Sequence, residues 1–251
     1  MRGKPNVVLL LCIASGGGLF ATTAAAQMAA FRDLTQGSRV PTEHLSVAQS
    51  CQTPNSSIDN SPSGALNNQD SKALQLTILE TSPAKLEIGN DFNANVRLKN
   101  VGTNPVLVPA VADGERVLRT SSDGTEEKYE VGDISFRLAT GKKRGIPVYL
   151  DSGGALFADP DDKKSYLSLA PGRWLDIKIH AKAECGLQNC VAHIQPDQKA
   201  VLTAWWYERV LTHRVDGCRE IHGSVEVRQL DSAPFTIEVR EPSPKMTAWK
   251  R

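Results

Sequence analysis

From Lys72 onward, apolar and polar residues alternate with a period of two, the pattern of strands that bury one face and wet the other. Leu74, Leu76 and Ile78 share a face of the first stretch. Phe92, Ala94, Val96 and Leu98 share a face of DFNANVRLKN, which follows a turn at Gly89-Asn90. NVGTNP then turns the chain into VLVPAV, where Val106 and Val108 alternate until Pro109, which has no N–H to donate, limits further pairing. After Pro171-Gly172, Trp174, Ile177 and Ile179 supply the apolar side of WLDIKIHAK, with one slip of register at Leu175. KAVLTAWWYERV, GSVEVRQL and APFTIEV complete the series, the last with Phe235, Ile237 and Val239 inward. No ten-residue stretch carries a helical period. About eight to ten short strands with frequent turn signals predict an all-β fold of two packed antiparallel sheets, since only packed sheets bury so many one-sided strands.

Two regions depart from this pattern. Residues 112–165 hold the strand-like ISFRLAT and IPVYL between charged, glycine-rich connections, DGTEEK, GKKRG and DSGG, and these predict an inserted hairpin region. Gln27 to Ser71 is rich in Ser, Asn, Gln and Pro, with too few large apolar side chains to offset the entropy of ordering. It predicts a flexible linker over 27–71, with room for a short helix over Met28–Leu34 that Gly37 and Pro41 would end. Upstream, Arg2 and Lys4 precede an apolar run from Val7 to Ala14 and a small-residue stretch ending at Ala26. That layout predicts a signal peptide over 1–26, removed with Cys12, and export to the periplasm or the extracellular space. The sandwich then spans 72–242 and residues 243–251 form a tail.

VRLKNVGTNPV, the LAPG that precedes a strand, and the closing HGSVEVRQLDSAPFTIEV together resemble immunoglobulin-like domains of secreted bacterial proteins. The resemblance covers about residues 72–240 apart from 112–165. It implies an immunoglobulin-like antiparallel β-sandwich and an envelope or extracellular setting. Its motifs are turns and a terminal strand, so they carry no catalytic residue across, and function must come from a site added to the fold.

Composition narrows the partners. At 40% hydrophobic and 23% charged, the 251 residues describe an ordinary globular chain with a formal charge of +1, which falls to about −1 once residues 1–26 are removed. That balance excludes the basic surplus needed to gather nucleic acid or acidic lipid. Beyond the N-terminus no apolar run is long enough for a transmembrane helix, so none is expected after signal cleavage. Cys51, Cys185, Cys190 and Cys218 would remain, an even number in a compartment where disulfides persist. CGLQNC allows a local Cys185–Cys190 bridge that leaves Cys51 for Cys218, although four cysteines permit three connectivities.

Chemistry is sparse. The serine-hydrolase elbow, the phosphate-binding loop and the zinc-peptidase helix motif are all absent, so no catalytic residue and no cofactor is assigned. His193, His213 and His222 lie near Cys190 and Cys218 without a recognised ligand spacing, and no metal is assigned. Asp159, Asp161 and Asp162 crowd a loop that lacks the spaced calcium-binding pattern, which leaves calcium near Asp159 open. Trp205-Trp206-Tyr207 is the most informative feature, because neighbouring strand residues face opposite ways and both indoles cannot enter one core. Parity leaves the inward ring undecided, and the 112–165 region would cover the other as a satellite core. The candidate ligand-binding residues are Trp205, Trp206 and Tyr207, with Lys142, Lys143 and Arg144 of the GKKRG hairpin. The leading expectation is an exported, non-enzymatic binding or structural module for an envelope or extracellular protein or glycan. The alternatives are a hydrolase using Asp159 or Asp161 within 112–165, or an inhibitor of a secreted peptidase.

Overall fold

The computed structural model of the chain describes residues 30–46, 55–59, 72–87, 89–140, 148–152, 154–183 and 198–240. The strands are β1 (Ala30–Leu34), β2 (Asn55–Asp59), β3 (Leu74–Ser82), β4 (Lys85–Glu87), β5 (Asp91–Asn100), β6 (Val106–Pro109), β7 (Arg119–Thr120), β8 (Glu126–Thr140), β9 (Val148–Ser152), β10 (Ala155–Ala158), β11 (Tyr166–Leu169), β12 (Trp174–Lys182), β13 (Gln198–Asp216), β14 (Arg219–Asp231) and β15 (Phe235–Arg240). The fold is predominantly β. One group of strands runs β3-β5-β12, with β1 on the free edge of β12. The other is built on β14-β13-β8, with β15 beside β13 and with β7 and β10 beside β8. β9 joins the two by pairing Leu150 with Phe136 of β8 and Ser152 with Ala181 of β12.

The alternation dictates the core. Leu74, Leu76 and Ile78 of β3, Phe92 to Leu98 of β5, and Leu175, Ile177 and Ile179 of β12 meet Ile134, Phe136 and Leu138 of β8 and Leu202 and Trp206 of β13 in one buried apolar cluster. Each large side chain buried there contributes about 1.5 to 3 kcal/mol. Asn100, at the end of β5, closes this core where NVGTNP turns. Its side-chain amide donates to the carbonyls of Asn104 and Leu169, and its oxygen accepts from the Gly102 N–H. Asn100→Ala leaves these buried groups unpaired, and chemical denaturation should register a loss of about 2 to 3 kcal/mol; a loss near zero would mean that water replaces the amide.

Several expectations are corrected. The 112–165 region is no insertion. Its β8 runs antiparallel to β13 from Glu126 opposite Arg214 to Thr140 opposite Ala200, so it is a central strand. The 27–71 stretch is not a free linker throughout, and β1 is a strand where a short helix was expected. β1 lies parallel to β12 and buries Leu34, while β2 lies parallel to β14. With β4 also parallel to β15, the sheets are mixed rather than purely antiparallel. On β12 the register does not slip. Leu175 points inward and Trp174 lies on the other face, half-buried beneath the Arg97 guanidinium, 4.7 Å from the ring centre.

β8, β13 and β14 outrun the main core. Past Gly132, Val117, Tyr129, Val131, Ala155 and Phe157 make a second small cluster, with Leu211 packed against it. This overhanging ribbon carries most of the unusual polar chemistry of the molecule.

Candidate functional site

The pleat of β13 resolves the paired indoles. Ala200, Leu202, Ala204, Trp206 and Glu208 face inward, and Trp205 and Tyr207 face outward. Trp206 is fully buried, so its place among the candidate contact residues is corrected: it is a core side chain. Gly132 of β8 makes room for it, since a Cβ at that position would fall inside the Trp206 ring.

Beyond Trp206, apolar packing gives way to a buried polar knot. The Trp206 Nε1–H donates to Glu208 Oε2 at 2.9 Å, and Arg228 Nη1 lies 3.3 Å from the same oxygen. Arg228 also donates to the Leu107 carbonyl, and the Tyr166 hydroxyl donates to Glu130 at 2.7 Å. Burial is the largest influence on the Glu208 carboxyl and, with Glu130 beside it and Arg228 opposing, pushes its pKa up to about 8. Burial and then the Glu130 hydrogen bond raise the Tyr166 hydroxyl. A carboxylic acid held protonated near neutrality is a familiar catalytic arrangement, but Glu208 is sealed in the core, where substrate has no access.

The outward face is built differently. Trp205 and Tyr207 stack with ring centres 5.5 Å apart and planes 24° from parallel. The Arg137 guanidinium caps the Trp205 ring at 5.8 Å, and Arg209 caps Tyr207 at 5.3 Å. Each arginine is in turn held by a carboxylate, Arg137 by Asp231 and Arg209 by Asp133 at 3.2 Å. Burial raises the Asp133 carboxyl, with Arg209 opposing, and burial followed by Glu226 raises the Tyr207 hydroxyl. The result is a ladder, Arg137-Trp205-Tyr207-Arg209, in which each ring carries a neighbouring ring and a guanidinium, while the Trp205 Nε1–H is buried without a hydrogen-bond partner.

The remaining sequence candidates separate. Lys142, Lys143 and Arg144 lie outside the described residues, as do Cys51, Cys185, Cys190 and His193. Cys218 is disulfide-bonded. In the acidic loop the Asp159 carboxylate accepts the Asp161 N–H, the Asp162 carboxylate accepts the Lys164 N–H, and Asp161 pairs with Lys128 at 2.8 Å. Two of these carboxylates therefore shape the turn and the third is an ion-pair partner. A shallow cleft of about 300 Å³, lined in part by Arg119, Glu126, Lys128 and Asp161, lies beside them.

One cluster was missed by sequence reasoning. His213 of β13 and His222 of β14 stand directly opposite in register, with rings stacked 4.4 Å apart and 5° from parallel. Glu43 reaches both, its Oε2 lying 3.3 Å from His213 Nδ1 and 3.8 Å from His222 Nδ1. These donors are the imidazole and carboxylate types that hold transition ions. A signal was present, because Gly217-Cys218 between two alternating stretches can form a two-residue hairpin loop, and folding about it pairs residue 213 with residue 222. Gly217 supplies the left-handed backbone of that turn, at φ 61°.

No family model matches the chain, and no curated protein does. Among solved structures, the chain is weakly similar to the Pseudomonas fluorescens alkylpurine DNA glycosylase AlkC bound to DNA containing an abasic site analog, at 13% identity and a TM-score of 0.25 over 62% of this chain. It spans only 30% of the length of that protein. It is similar to AvmM, described as catalysing macrocyclization in alchivemycin A biosynthesis, at 10% identity and a TM-score of 0.24, over 68% of this chain and 89% of that one. Likenesses at these scores carry no functional argument.

Proposed function

We propose that this chain is an exported, non-enzymatic binding module, immunoglobulin-like in kind, whose partner is an envelope or extracellular protein docking on the outward face of β13 and β8. The single observation that carries this reading is the Arg137-Trp205-Tyr207-Arg209 ladder. Tryptophan, tyrosine and arginine are the residues that dominate protein–protein hot spots, and here each is held rigid before any partner arrives, which lowers the entropy cost of docking. A glycan is the weaker fit. Sugar stacking needs an open ring face, and each ring here already carries a neighbouring ring and a guanidinium.

Export rests on the signal-peptide layout of residues 1–26 and accords with a disulfide at Cys218. The hydrolase reading is the less favoured one, since the Asp159 carboxylate accepts the Asp161 N–H in the turn and Asp161 pairs with Lys128.

Affinity capture from the envelope and secreted fraction tests the proposal when wild type is compared with Trp205→Ala and Tyr207→Ala variants that melt within a few degrees of it. A partner retained by wild type and weakened about tenfold or more by each variant is the expected outcome, since hot-spot truncations cost roughly 2 kcal/mol or more. Equal capture by all three would overturn it.

A further inference from the structure

We infer that Glu43, His213 and His222 form a site for a borderline divalent transition ion, zinc above all, which clips the N-terminal segment to the β13–β14 hairpin. His213 is only 4% exposed, yet neither of its ring nitrogens has a hydrogen-bond partner. Buried imidazoles normally satisfy at least one nitrogen, so the ring is positioned for a partner other than a protein hydrogen bond.

The geometry fits an ion. Zinc bonds of about 2.0 to 2.2 Å in a tetrahedron place neighbouring ligand atoms roughly 3.3 to 3.6 Å apart. The Glu43 oxygen lies 3.3 Å and 3.8 Å from the two Nδ1 atoms, and all three donors fall within 4.8 Å of one another. The two Glu43–imidazole spacings are already close to this range, and the stacked rings must tilt toward the ion to bring their own donors from within 4.8 Å to the same spacing. The fourth position falls to water or to Glu127, whose Oε2 is 4.0 Å from His213 Nδ1.

Charge points the same way. Glu43 and Glu127 converge on this corner, and Glu127 is buried, accepting the backbone N–H groups of His44 and Leu45. Those bonds also hold in place the segment that presents Glu43. A divalent ion would balance these two carboxylates at one point. Imidazole with carboxylate selects zinc or copper over calcium and magnesium, which prefer all-oxygen shells.

The test is zinc titration of the intact, oxidised chain after chelator stripping, followed by calorimetry and by the visible spectrum of the cobalt-substituted protein. The expected result is one ion per chain at about micromolar affinity or tighter, a tetrahedral cobalt spectrum, and a melting point raised by about 5 to 10 °C in hundredfold excess over Kd. His222→Gln and Glu43→Gln, at side chains 42% and 38% exposed and therefore tolerant of change, should each weaken binding at least tenfold. His180→Gln, a half-exposed histidine on β12, should leave it unchanged. Absence of saturable binding, or equal binding by all three variants, would overturn the site.

Discussion

Trp206→Ala is expected to destabilise the protein by about 4 kcal/mol, while Trp205→Ala, one residue away, costs about 1 kcal/mol. Trp206 is among the largest fully buried side chains, so its removal leaves a cavity that β8 and β13 cannot close, since each is pinned along its length by the other. It also withdraws the Nε1–H from Glu208, a buried acceptor. Trp205 gives up part of a half-exposed stack and little else. The converse, Gly132→Ala, should be comparably severe, because the added methyl meets ring carbons of Trp206 that are themselves packed on every side. Urea unfolding of the three variants beside wild type checks this. Equal costs for the two tryptophans would mean that the indoles are not divided between core and surface.

The second large effect is on pH dependence. Glu208 holds its proton to about pH 8 when folded, whereas an unfolded glutamic acid releases it near its ordinary value of 4.5. Between those values the folded state binds the extra proton, so stability falls as pH rises. The contribution is complete below about 4.5 and is lost as pH passes through about 8. It amounts to a few kcal/mol at most, since Arg228 offsets part of the cost of ionising the carboxyl. Glu208→Gln keeps an oxygen for the Trp206 N–H and cannot ionise. Its melting point should lie near that of wild type at pH 5 and above it at pH 9. A wild-type-minus-variant difference that stays flat from pH 5 to 9 would contradict the assignment.

What the sequence made legible follows from one-sided burial. Phe92, Ala94, Val96 and Leu98 announce β5 because their neighbours face water, and the closing Ile237 and Val239 of β15 are equally plain. β8 was hidden for the opposite reason. Around Glu127 to Ile134 it is covered on both faces, by the main core on one side and the second cluster on the other, so buried Glu127, Tyr129, Glu130 and Val131 follow no alternation. β1 and β2 were obscured because their parallel partners lie more than a hundred residues away, where local pattern has no reach. The division of Trp205 from Trp206 could be deduced from the pleat, but which one turned inward depended on Gly132, whose missing side chain gains meaning only once β8 is paired with β13. Glu43 was out of reach for the same reason as β1. It meets His213 across 170 residues of chain, and only the hairpin half of that site was written locally.

The central claim is that a partner protein docks on the face carrying Trp205 and Tyr207, and site-specific photo-crosslinking in the exporting cell tests it most directly. A photoreactive residue at Tyr207 should give one discrete adduct with an envelope or extracellular protein, and the same residue at Leu79, exposed on β3, should give none. No adduct from position 207, or the same adduct from both positions, would contradict it.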